Sequence, residues 1–153
     1  MTATATVAHN AADDHTLGYL LADTVRLMRR DFAARAHALK LTPALARLLF
    51  YVARDPGSHQ SELAARLEVT AATLGRMVDR LVERGYLKRI ADSGDRRAFR
   101  VYLDCAAEPL LGEMSRIGKL TEARACDGLT ESERTLFIAQ LARLRSNLAD
   151  SGA

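Results

Sequence analysis

Apolar residues recur at helical spacing along most of this chain, interrupted once, between residues 86 and 103, by two runs of a shorter rhythm. Leu17, Leu20, Leu21, Val25, Met28, Phe32 and Ala36 fall three or four apart, which predicts a first helix from about Thr16 to Leu39. Asp23, Arg26, Arg29, Arg30 and Arg35 lie between them. Thr42-Pro43 opens a second helix: Thr caps, and Pro fits a first position whose N–H would have no partner. Leu45, Leu48, Leu49 and Val52 form its core face, and Asp55-Pro56-Gly57 ends it. Two more helices, Gln60–Leu67 and Ala71–Arg84, flank the turn Glu68-Val69-Thr70, and Gly85 stops the second. Tyr86–Ile90 and Arg100–Leu103 read as strands of a hairpin turning at Ser93-Gly94. A fifth helix is expected to open at Asp104, to kink or begin late at Pro109 near its first turn, and to run through Leu110, Leu111, Met114, Ile117 and Leu120 to about Cys126. Gly128 breaks it. Thr130 and Glu133 then form a capping box for a sixth helix, striped by Leu136, Phe137, Leu141, Leu144 and Leu148.

The element order predicts a mainly α protein. Residues 1–15 are rich in Ala and Thr and lack a basic start followed by an apolar run, so they read as a mobile tail rather than a secretory signal. Residues 16–150 read as one domain: a winged helix-turn-helix over 42–103, and helical arms over 16–40 and 104–149. No apolar run approaches the ~18 residues of a membrane span, and a cytoplasmic protein is expected. The arms carry more apolar face than one small lobe covers. A second copy would bury it, and a homodimer is expected; the alternative is that these helices simply cover the second helix.

The two short helices have the parts of a DNA-reading motif. Ala64 is the small residue where they touch, and Leu74, Met77, Val78 and Leu81 face inward. Thr70 is placed to cap the N–H of Ala72 or Thr73. Glu68 stands where a positive φ favours Gly, at a small strain. The outer face then holds Ala71, Ala72, Thr73, Gly75, Arg76, Asp79 and Arg80. Ala71, Ala72 and the Thr73 methyl suit thymine methyl groups. Arg76 suits a guanine edge, a phosphate, or only solvent. Gly75 either permits close backbone approach or lacks a contact.

Charge adds weight to this face. From Thr70 to Arg100 there are eight bases and four acids, an excess of +4 in a chain whose net charge is +3. On the hairpin, Asp95, Arg96 and Arg97 form an Asp-Arg-Arg tip. Arginines on a narrow hairpin suit a minor groove, and Asp95 would orient one of them. An ordinary polar tip is the other reading.

These residues carry a resemblance. Leu41-Thr42-Pro43, Gln60-Ser-Glu-Leu-Ala64, Leu74 to Leu81 with Asp79-Arg80-Leu81, Glu83-Arg84-Gly85-Tyr86-Leu87 and Asp92-Ser-Gly-Asp-Arg-Arg97 resemble the MarR family of winged-helix regulators, over roughly residues 17 to 149. The resemblance implies a homodimeric regulator of a pseudo-palindromic duplex site, usually a repressor, released by a small aromatic or phenolic molecule or by oxidation. It implies that Asp95 and Arg97 form the wing pair. It also implies that effectors bind where helices 1, 2 and 5 meet the reading lobe, where Tyr19, Arg47 and Tyr51 lie. Arg47 and Tyr51, four apart, share a helix side and suit a carboxylate; a surface Arg packed over a half-buried Tyr is the plainer reading. The family's usual aromatic early in helix 2 is replaced by Leu45-Ala46-Arg47.

Other chemistry is sparse. Cys105 and Cys126 lack metal-ligand spacing. On one straight helix they would stand about 31 Å apart, so only a bridge between subunits would make a redox regulator of this chain. His9, His15, His37 and His59 are scattered and no nucleophile sits beside a base, so no enzyme, metal or cofactor is expected. A winged helix acting only as a protein-interaction module is the remaining alternative.

Overall fold

The computed structural model describes residues 16–94 and 98–149. Helix α1, Leu17–Arg35, starts where the Thr16 hydroxyl accepts the Tyr19 N–H. It gives way to a 3-10 turn, Ala36–Leu39, sooner than the apolar spacing predicts. Lys40 closes that turn in the left-handed backbone region, at φ 53°. Helix α2, Pro43–Arg54, begins at the predicted cap, with Thr42 accepting from Leu45 N–H at 3.3 Å. Strand β1, Ser58–His59, leads into helix α3, Gln60–Leu67, and helix α4, Ala71–Glu83. Strands β2, Leu87–Ala91, and β3, Phe99–Leu103, follow, then helices α5, Glu108–Ala125, and α6, Glu131–Ala149.

The sheet is antiparallel with the order β1-β3-β2. Leu87 stands opposite Leu103 in the hairpin, and Ser58 opposite Val101 on the other edge. Strand β1 is absent from the sequence-based expectation because two residues carry no readable alternation. The fifth helix begins late, one of the two outcomes that Pro109 predicts. Asp104 caps a 3-10 turn, Cys105–Ala107, and the α-helix begins at Glu108, with Pro109 in the first turn where a missing N–H costs nothing.

One core unites α2, α3, α4, the sheet and the first half of α5. Leu48, Leu49, Val52, Leu63, Leu74, Val78, Leu81, Leu87 and Val101 are fully buried in it. Burial of each side chain of this kind stabilises by about 1.5–3 kcal/mol, so these residues dominate the reading lobe's stability. Met114 brings α5 to the same core.

The arms are different. Neither α1 nor α6 has a single buried residue, and Leu136 and Phe137 are 60% and 51% exposed. Of the arms, α5 does reach the core of α2, through Met114 with Leu110 and Leu111 beside it, and α1 adds half-buried Phe32. One polar knot joins α1 to α5. Asp31 receives Arg35 Nε at 2.6 Å, the Thr121 hydroxyl at 2.9 Å and Arg124 at 2.5 Å. The Arg35 guanidinium first, then Thr121 and Arg124, hold the Asp31 carboxyl well below the usual carboxylate range.

Candidate nucleic-acid interface

The second helix of the motif, α4, is fixed from both ends by local chemistry. At its start, the Thr70 hydroxyl accepts the Thr73 N–H at 3.2 Å, one of the two partners the sequence allows. Before it, α3 ends with Glu68 at φ 56°, where the N–H of Glu68 bonds the Ala65 carbonyl and that of Val69 bonds Ala64. This is the left-handed helix stop that normally uses Gly. The same double bond ends α4: Gly85, at φ 73°, donates to Val82, and Tyr86 donates to Leu81. Ala64 is buried where α3 meets α4.

Inward, Leu74, Val78 and Leu81 are buried, and Met77 packs half-buried against the same core. Outward, Thr70, Ala71, Ala72, Arg76, Asp79 and Arg80 are exposed, while Thr73 and Gly75 are half-buried. The sequence-predicted reading face is therefore one continuous surface. Arg76 is steadied there, its guanidinium donating to the Thr73 hydroxyl at 3.3 Å. A Cβ added at Gly75 would meet no atom within 4 Å, so internal packing does not require this glycine. The Arg80 side chain has no hydrogen bond or ion pair among the described residues. Asp79 is engaged by Arg89 of β2 at 2.6 Å.

Asp95, Arg96 and Arg97 lie outside the described residues, as does the 1–15 tail. The root of the hairpin is described. Asp92, with its side chain 8% exposed, accepts from Arg100 Nε and from the Gly94 N–H at 2.7 Å, and stands 3.6 Å from His59 Nε2. Arg100 also donates to the Gly57 carbonyl at 3.1 Å. Gly57, at φ 83°, leaves no room for a side chain: a Cβ would lie 2.8 Å from the Tyr102 hydroxyl. The hairpin thus rises from a root in which one carboxylate gathers the His59 imidazole of β1 and the Arg100 guanidinium of β3.

A family model described as "MarR family" matches residues 39–98, the span from α2 through α4 to β2. A solved structure of "transcriptional regulator PA3341" is 32% identical, covers 88% of this chain and 99% of its own, and superposes with a TM-score of 0.75. This chain belongs to the MarR family. A "Crystal Structure of MarR" is 28% identical over 88% of this chain and 98% of its own, with a TM-score of 0.75. A MarR-family regulator from Silicibacter pomeroyi is 27% identical over 85% of this chain and 88% of its own, with a TM-score of 0.72. Membership makes the chain a DNA-binding transcription regulator of winged-helix fold and not an enzyme.

Within this MarR-family fold, the three candidate effector residues are spread out. Arg47 and Tyr51 are half-buried on α2, and Tyr51 meets the Phe50 ring edge-on with centroids 5.9 Å apart. Tyr19 is exposed on α1, about 20 Å along the helix from Phe32, which packs on the core. A cleft of about 520 Å³ opens elsewhere, between α1 and α5, lined by Leu27, Met28, Arg30, Asp31, Thr121 and Arg124. Cys105 is exposed before α5 and Cys126 half-exposed at its far end. The 18-residue helix between them separates the thiols by about 27 Å, far beyond a bridge. No described helix is long and apolar enough to cross a membrane.

The hairpin root and the Asp79–Arg89 contact were not anticipated from sequence. Asp92-Ser-Gly94 did carry a signal for the root, because an Asp two residues before a turn glycine bonds its own backbone.

Proposed function

We propose that this MarR-family protein is a cytoplasmic homodimeric repressor that reads a pseudo-palindromic duplex site and is released by a small aromatic or phenolic effector. The exposed apolar face of α6, with that of α1, is the observation that supports dimerisation: surface of this kind is stable in water only when covered. Two copies joined through these arms would offer two α4 helices to successive major-groove faces, about 34 Å apart. Thr70 to Arg76, with Arg80, would read bases and phosphates in each half-site, and Asp95, Arg96 and Arg97 would serve the flanking minor groove. The effector must bind the released and DNA-bound forms unequally, and Tyr19, Arg47 and Tyr51 are its candidate contacts.

Sedimentation of the protein with duplexes selected from a random-sequence pool tests the reading. A dimer that enriches an inverted repeat and loses affinity with added salt supports it. A monomer at micromolar concentration that retains no duplex overturns it. A thermal-shift screen with aromatic acids then tests the effector.

A further inference from the structure

We propose that Arg89 is a positioning residue for DNA reading, clamping the recognition helix to the hairpin so that the two engage a duplex as one rigid unit. The proposal rests on the DNA-reading function above. Arg89 projects from β2, the first strand of the hairpin, onto α4. Its Nη1 donates to Asp79 Oδ1 at 2.6 Å, and its Nη2 donates to the Gly75 carbonyl at 3.3 Å. Asp79 and Gly75 are four apart, so one guanidinium grips both a side chain and the backbone of the same helical turn. That turn lies one residue from Arg76 and one from Arg80, the two arginines of the reading face. A planar fork held at two points fixes both the distance and the tilt of α4 against the hairpin; a point charge would fix distance only.

Stability alone does not account for an arginine here. Its Nε is buried and without a hydrogen-bond partner among the described residues. An unmet buried donor is a cost to the folded state, and an apolar side chain would fill the gap without it. The Asp79 carboxylate, half exposed on the face that meets phosphates, is also neutralised by the clamp. The charge is satisfied within the protein before a duplex arrives.

The test uses the full chain, the 30-base-pair duplex that the wild type enriches most from a random pool, and a random-sequence duplex of equal length. Arg89→Lys keeps the charge and loses the fork. It is expected to keep the wild-type melting temperature within a few degrees and random-duplex affinity within about twofold, while affinity for the selected duplex falls about tenfold. Asp79→Asn, which removes the other half of the clamp, is expected to lose selectivity to a similar degree. Unchanged selectivity in Arg89→Lys overturns the proposal, as does an equal loss on both duplexes accompanied by a lower melting temperature. An Asp79→Asn protein that prefers a different base, rather than discriminating less, also overturns it, since Asp79 would then be a direct reader. A wild type that enriches no duplex defeats the DNA-reading function itself; a selective wild type with an equally selective Arg89→Lys defeats only the clamp.

Discussion

The Thr121 hydroxyl donates to Asp31 Oδ2 at 2.9 Å across ninety positions of sequence. With Arg35 and Arg124 on the same carboxylate, this bond makes Asp31 the hinge pin between α1 and α5. Asp31→Asn removes the charge that both guanidiniums share. Because the folded carboxyl is held below its ordinary range, its contribution is fully present above the unfolded value near 3.9 and is lost as pH falls towards the folded value. The wild type should therefore melt a few degrees above Asp31→Asn at pH 7, and the gap should shrink steadily below pH 4. A gap independent of pH down to acid unfolding would show that the carboxylate is not the stabilising group.

Gly75→Ala should separate stability from function. A Cβ there has open space, so Ala should stabilise the helix by about 0.8–1 kcal/mol. If the gap is kept for close approach of a duplex, the same change should weaken specific binding by about 1–3 kcal/mol, the scale of one groove contact. Denaturant unfolding and fluorescence anisotropy on one preparation read both. Tighter or unchanged binding would mean the glycine is only a missing contact.

Glu68→Gly should stabilise. Glu68 holds a left-handed conformation that costs an L-residue about 1 kcal/mol or more, and Gly adopts it without that penalty. Chemical denaturation should show a higher midpoint with an unchanged slope. A lower midpoint would mean that the Glu68 side chain contributes more than its backbone loses.

Arg76→Ala and Arg97→Ala should fail differently. Arg76 sits on the reading face beside Thr73, so its loss should cost about 1–3 kcal/mol and relax preference at one base pair. Arg97→Ala should weaken all duplexes alike and reduce the logarithmic salt slope by about one. Titrations at three salt concentrations distinguish the patterns, and identical behaviour of both variants would displace Arg76 from the groove.

What the sequence discloses is what a few neighbouring residues decide. Thr42, Thr70 and Thr130 mark helix starts because a cap reaches only three positions on, and each caps as expected. Gly85 and Glu68 mark helix stops through their own backbone angles. The unread parts depend on distant partners. Arg89 and Asp79 are ten apart, Arg100 and Gly57 forty-three apart, and in sequence any arginine looks equally able to face water. Strand β1 is invisible for the same reason: its two residues become a strand only because β3 lies beside them. The arms were legible as apolar stripes, and the exposed faces of α1 and α6 are where those stripes lie.

Helix α6 has nineteen residues, none of them buried, and Arg134 ties its first turn to Glu122 of α5 at 2.6 Å. Most of a helix's stability in a protein comes from packing one face against a neighbour, and α6 has little of that within one chain. In the proposed dimer a second copy would supply that cover, so that the amount of protein in the cell would enter the folding equilibrium itself. Scarce chains would expose a fraying tail to proteases, whereas abundant ones would protect each other. The midpoint of thermal unfolding should climb with each dilution step reversed, and occupancy of an operator should rise more steeply than in proportion to dose.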